Sequence, residues 1–129
     1  MKDLPSFLQY GETVVVDAGT PIYLCGKELE PTPIYCVVAG LVRLGIPVKG
    51  RCPIAIYTPP DSVFGIVEVM SGTRRLMDAV ALEKTILYRW DHESYQTAHN
   101  VSWELAFQTF TGLSRVLRIL NAEYAEAQA

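Results

Sequence analysis

Between Phe64 and Leu82 the chain reads FGIVEVMSGTRRLMDAVAL. A glycine follows an aromatic residue, a short apolar run ends in a Ser-Gly turn, and two arginines stand side by side. These residue types are suited to holding an anion. Gly65 permits close approach to the backbone, and a short helix over 66–71 would turn its first N–H groups, those near Ile66 and Val67, toward a negative charge. Arg74 or Arg75, returning after the turn, offers a planar fork of donors that matches a phosphate or carboxylate. An ordinary surface turn between two apolar segments would contain the same residues, so the pattern has weight only in its context.

Other chemistries find less support. His92 and His99 are isolated, and no Ser or Cys nearby is marked out as a nucleophile, so an enzyme is not expected. Glu28, Glu30, Asp61, Glu68 and Asp78 lack the spacing of a metal site, so no metal is expected. A metal-binding cupin enzyme would need two or three histidines on strands, and both histidines here follow the strand-like region. Cys25, Cys36 and Cys52 are odd in number and form no CxxC pair, and they read as three reduced, core or semi-buried thiols.

The elements that must position the anion-binding residues follow from the rest of the 129 residues. Half of the residues are apolar and 19% are charged, which is enough for one domain with a single core. A net charge of −3 is a poor match for nucleic acid, because phosphate neutralisation needs a basic face. No apolar run approaches a membrane span, and the first residues lack the apolar region of a secretory signal, so a cytoplasmic location is expected. Residues 10–90 read as short strands punctuated by turns: ETVVVDAG, PIYLCG, IYCVVAGLVRLGIP (two strands meeting at Gly40), PIAIYTPP, DSVF, MDAVAL and KTILYRW. The segment KELEPTP reads as a loop.

Residues 91–129 read as helical. Asp91 caps a short helix over 91–98, and Asn100 or Ser102 caps a long one reaching Ala129. Along the long helix, Trp103, Ala106, Phe110, Leu113, Leu117, Leu120 and Tyr124 are spaced 3, 4, 3, 4, 3, 4, the a/d seam of a two-helix pair. Phe107, Val116 and Ile119 form a second stripe, expected to face the β body, and Gly112 would let two helices approach closely. A homodimer through the long helix is the expectation, with Phe110, Leu113, Leu117, Leu120 and Tyr124 at its interface.

Taken in order, these elements resemble the cyclic-nucleotide-binding domain of the catabolite-activator family of bacterial transcription regulators. The resemblance rests on YGETVVVDAGTPIYLCG, PIYCVVAGLVRL, the FG…RR segment as the phosphate-binding cassette, and DHESYQTAHNVSWELAF onward. It covers residues from about Tyr10 to Ala125 and implies a double-stranded, jelly-roll-like β-roll, a short helix and a long C-terminal dimerisation helix. It further implies a cyclic nucleotide or other anionic small molecule as effector, and no separate cofactor. The phosphate would sit on the backbone after Gly65 and on Arg75, or on Arg74 if the register slips by one. Asn121 would read the base from the partner subunit's helix.

The cassette departs from the family pattern at three places. Ile66 stands where a glutamate would hold the ribose hydroxyl, and Leu76 and Met77 stand where Ser/Thr and Ala are usual. Losing a buried hydroxyl's acceptor costs about 1–3 kcal/mol, or one to two decades in affinity. Glu68 reaches such a ligand only if the cassette is re-registered. The haem-sensing relatives need a Cys and a His near the start of the cassette, and the cluster-sensing ones need closely spaced N-terminal cysteines; neither pattern occurs. The chain ends with the long helix, without the family's DNA-binding helix-turn-helix. The expectation is therefore a regulatory sensor domain with a degenerate cassette, signalling through a dimerisation helix. The alternatives are a ligand-free dimerisation module, or the sensor half of a longer regulator.

Overall fold

The structure is a computed structural model, and it describes residues 10–26, 33–71, 73–101 and 103–128. The expected loop at 27–32, Gly72 of the cassette turn, the cap at Ser102, and the side chains of His92, His99 and Trp103 lie outside what is described.

Eight strands form two four-stranded antiparallel sheets. The strands are β1 (Glu12–Val16), β2 (Pro21–Tyr23), β3 (Ile34–Ala39), β4 (Val42–Val48), β5 (Arg51–Thr58), β6 (Val63–Phe64), β7 (Asp78–Ala81) and β8 (Thr85–Trp90). One sheet has the order β1-β8-β3-β6 and the other β2-β7-β4-β5. Sequence neighbours mostly alternate between the sheets, as a double-stranded roll requires. Helix α1 (Ile66–Ser71) lies between β6 and β7, and α2 (His92–Val101) and α3 (Trp103–Gln128) follow β8.

Strands β3 and β8 explain why their sequences are almost continuously apolar. Their side chains alternate between two covered faces. Ile34 and Cys36 on β3, with Tyr88 and Trp90 on β8, join Tyr95, Ala98 and Leu105 in a cluster beneath α2 and α3. Tyr35, Val37 and Leu87 point the other way and meet Val42, Leu44, Ile56, Phe64, Met77 and Ala79 between the sheets. Val116 and Ile119 pack against this second cluster, so the middle of α3 closes the mouth of the roll.

The turn between β3 and β4 admits only glycine. Gly40 has φ of 103°, and a Cβ there would lie 2.5 Å from Thr85 Oγ1 and 2.7 Å from Thr85 Cα. The Thr85 hydroxyl uses this space to bridge to the β3–β4 corner: it accepts from Leu41 N–H and donates to a neighbouring carbonyl.

Asp91 caps α2 as expected, with Oδ1 accepting from Ser94 N–H at 2.7 Å. Asn100 belongs to α2, whose helix runs to Val101, and so does not cap α3. Helices α2 and α3 are joined by a buried hydrogen bond between the Tyr95 and Thr109 hydroxyls.

The face of α3 differs from the expected one. Leu105 is fully buried, and Leu113 packs against the cluster beneath the helices, not in an exposed seam. Phe107, expected to face the body, is 56% exposed, as are Phe110, Leu117 and Tyr124 to similar degrees. Gly112 faces the roll, where a Cβ would lie 3.3 Å from the Val63 carbonyl oxygen. Its smallness therefore serves the approach of α3 to β6 within the chain. The cysteines also differ: Cys36 is buried, while Cys25 and Cys52 are exposed thiols. Among the described residues no helix is long and apolar enough to cross a membrane.

Candidate ligand pocket beneath the cassette

The cassette begins where β6 ends. Gly65 adopts φ of 86°, in the left-handed region, and turns the chain into α1. A Cβ at this position would lie 3.1 Å from Arg75 Nη1, so glycine leaves room for the arginine as well as for the turn. Helix α1 carries Glu68 in its first turn. One turn of helix is enough to bring Glu68 back toward Gly65, facing the segment that returns as β7.

Arg75 is buried, with 3% of its surface exposed, and its fork is already engaged. Nη1 donates to the Gly65 carbonyl at 2.9 Å and to Glu68 Oε1 at 3.2 Å, and Nη2 donates to the Pro33 carbonyl at 2.7 Å. The guanidinium carbon lies 3.9 Å from the centre of the Tyr23 ring, a cation–π stack. Glu68 is 1% exposed, and its other oxygen accepts from Leu76 N–H at 3.2 Å. Burial first, and then the neighbouring Glu68 carboxylate, push the Tyr23 hydroxyl well above the usual tyrosine range; the Arg75 charge opposes this. The group that sequence reasoning assigned to an external phosphate thus forms a desolvated ion pair with an internal carboxylate. Glu68 was the residue whose role the sequence left open. The signal for it is its position three residues after the turn glycine, on a helix one turn long.

Beside this pair lies a cavity of about 30 Å³. Gly65, Ile66, Val67, Glu68 and Met77 line it from the cassette side, and Leu44, Ile56, Thr58, Ser62 and Val63 from the roll. Tyr23 and Phe64, with Gly112, Leu113, Arg115 and Val116 of α3, form the remaining wall. Of the residues read from sequence as a ligand site, the fold therefore gathers Gly65, Ile66, Val67 and Met77 around one cavity. Arg75 is placed behind it, tied to Glu68. Arg74 and Leu76 are exposed, and Asn121 is exposed on α3, away from this chain's own cavity. The volume has room for about one water molecule, whereas small-molecule sites occupy several hundred cubic ångströms. A wider, open cleft of about 390 Å³ lies elsewhere, between Tyr10, Glu12, Arg89 and Ser94, and there Glu12 and Arg89 pair with each other. Among the described residues no group of His, Cys, Asp and Glu could hold a metal ion.

Comparison with solved structures gives this arrangement a context. The catabolite activator protein of Thermus thermophilus superposes with a TM-score of 0.76 at 25% identity, over 95% of this chain and 57% of that one. The chain has the sensor-domain fold of the catabolite-activator regulators. The N-terminal domain of a Streptomyces coelicolor transcriptional regulator (TM-score 0.60, 21% identity, 88% of this chain and 80% of that one) shares this sensor fold. So does the haem domain of CooA from Rhodospirillum rubrum, with a TM-score of 0.75 at 16% identity over 95% of this chain and 86% of that one. No protein-family model and no curated protein matches the chain. In the sensor fold the chain spans little more than half of the Thermus thermophilus regulator's length.

Proposed function

We propose that the chain is a regulatory sensor domain, not an enzyme, whose cassette is closed from within and whose output runs through α3. The observation that carries this reading is the engagement of Arg75. Three of its five N–H donors are held by Glu68, Gly65 and Pro33, and its face lies on Tyr23. An incoming cyclic phosphate would have to share this guanidinium with a buried carboxylate and two carbonyls, or displace them. It would also bring ribose hydroxyls to a site where Ile66 offers no acceptor. An ordinary cyclic nucleotide is therefore not the effector in this reading. Because α3 forms one wall of the cavity, anything that enlarges the cavity moves the helix that pairs with a second copy. Such a domain acts on an attached or recruited partner in the cytoplasm and does not itself contact nucleic acid.

The small cavity favours a second reading, in which no ligand enters and only dimerisation survives. Thermal melting with cyclic AMP, cyclic GMP and a cyclic dinucleotide at millimolar level tests the leading reading. No rise is expected from any of them. A rise that Arg75→Ala abolishes, in a variant that still melts cooperatively, overturns the closed-cassette reading.

A further inference from the structure

The cavity wall holds a second arginine that the cassette does not use. Arg115, on α3, is half-buried, and its Nη1 lies 3.5 Å from Ser62 Oγ, the long limit of a hydrogen bond. Among the described residues it forms no ion pair. The other charges at the cavity cancel, because Glu68 is matched by Arg75. The Thr58 hydroxyl is also spent, donating to the Val42 carbonyl at 2.7 Å. What remains is one unit of positive charge beside the Ser62 hydroxyl at one end, with the Tyr23 phenol also on the lining. Beyond them the wall is apolar, made by Leu44, Ile56, Val63, Met77, Leu113 and Val116.

We infer that Arg115, with Ser62, recognises the carboxylate of a small monoanion whose apolar body enters between Met77 and Val116. The inference rests on the closed-cassette reading above and names the effector class for the same cavity. Charge sets the class: one unmatched cation is neutralised by one carboxylate, and a planar carboxylate accepts two parallel donors from a guanidinium. The mostly apolar lining sets the rest, since such walls reward a hydrocarbon body over a sugar. The cavity must widen to admit the body. Its movable walls are the unbranched Met77 side chain and the α3 face that carries Leu113, Arg115 and Val116. The recognising cation and the moving wall are therefore on one helix, and ligand entry is coupled to the position of α3.

The test uses the full chain with octanoate and 3-phenylpropionate as probes and octanamide as the uncharged control, followed by thermal melting and calorimetric titration. Both carboxylates are expected to raise the melting temperature, and octanamide to leave it unchanged. Arg115→Gln should weaken carboxylate binding at least about tenfold, as expected for loss of a charge-assisted contact. Arg118→Gln, one turn away on the exposed side of α3, should leave it unaltered. The Arg115 variant keeps every residue of both core clusters, so it is expected to fold. The inference is overturned if neither carboxylate binds, if octanamide binds as well as octanoate, or if Arg115→Gln binds as the parent does. A cyclic-nucleotide response through Arg75 would sink the closed-cassette reading instead. Failure of the carboxylates with no nucleotide response sinks only the Arg115 assignment.

Discussion

Arg75 and Glu68 are each almost fully removed from water, so the energetics of the cassette turn on what happens when one loses the other. A buried ion pair roughly balances its own desolvation, but a lone buried ion does not. Arg75→Met should cost about 3–5 kcal/mol, and Glu68→Met a similar amount, because each strands the remaining charge. The double variant should be more stable than the sum of the singles, since it removes both charges together. Urea denaturation of the four proteins measures this, and strictly additive losses would mean that the two residues do not act as a pair. The same region predicts an alkaline transition. Burial raises the pKa of Tyr23 and of Tyr95 above their ordinary value, so the fold prefers both in the neutral form. The stability this contributes is fully present below pH of about 10, the unfolded value, and is lost as pH rises beyond it. In an absorbance titration the tyrosinates of Tyr23 and Tyr95 should appear late, together with loss of the far-UV dichroism. Tyr23→Phe should remove one of them.

The elements were legible to different degrees, and the reasons are physical. Strands bounded by glycine or proline were readable because the chain must turn there. The β3–β4 corner at Gly40 is the clearest case, and Gly40→Ala should lower stability by about 3 kcal/mol in urea, through a disallowed φ and contact with Thr85. A substitution tolerated at that site would mean that the corner can relax away from β8. Helix α1 was readable to its ends, Ile66 and Ser71, since Gly65 starts it and another glycine stands after Ser71 in the sequence. The rotation of α3 was not readable. Apolar residues occur on three sides of it, and a 3-4 spacing can be traced through more than one set. What fixes the rotation is non-local: Gly112 against the Val63 carbonyl, Thr109 bonded to Tyr95, and Val116 and Ile119 against the inter-sheet core. The Glu68–Arg75 pair was hidden for a similar reason. The sequence shows an arginine and a turn, but the acceptors at Pro33 and Gly65 converge only after β3 and β6 have paired.

For the whole molecule, in the proposed dimer, the rotation of α3 decides which residues meet a second copy. Phe107, Phe110, Leu117 and Tyr124 are all more than half exposed. With Ser114 and Asn121 between them they run 107, 110, 114, 117, 121, 124, a spacing of 3, 4, 3, 4, 3. This is an a/d seam turned by one position at alternate steps from the one read in the sequence, with Ser114 and Asn121 in place of Leu113 and Leu120. The two seams share Phe110, Leu117 and Tyr124, so Leu117→Glu should convert a dimer to a monomer in sedimentation velocity under either register; an unchanged mass rejects both. Leu113 and Ser114 separate them. Leu113→Glu places a charge against the chain's own buried cluster, so it should destabilise the fold by several kcal/mol. Ser114→Leu fills a small a position in the exposed seam and should tighten the dimer, lowering its dissociation constant about tenfold for an added apolar side chain of this size. If Ser114→Leu leaves dissociation unchanged while Leu113→Glu yields a folded monomer, the seam runs through Leu113 and Leu120, and α3 rotates when it pairs. That rotation would carry Arg115 away from Ser62, which ties the dimer's register directly to the state of the cavity.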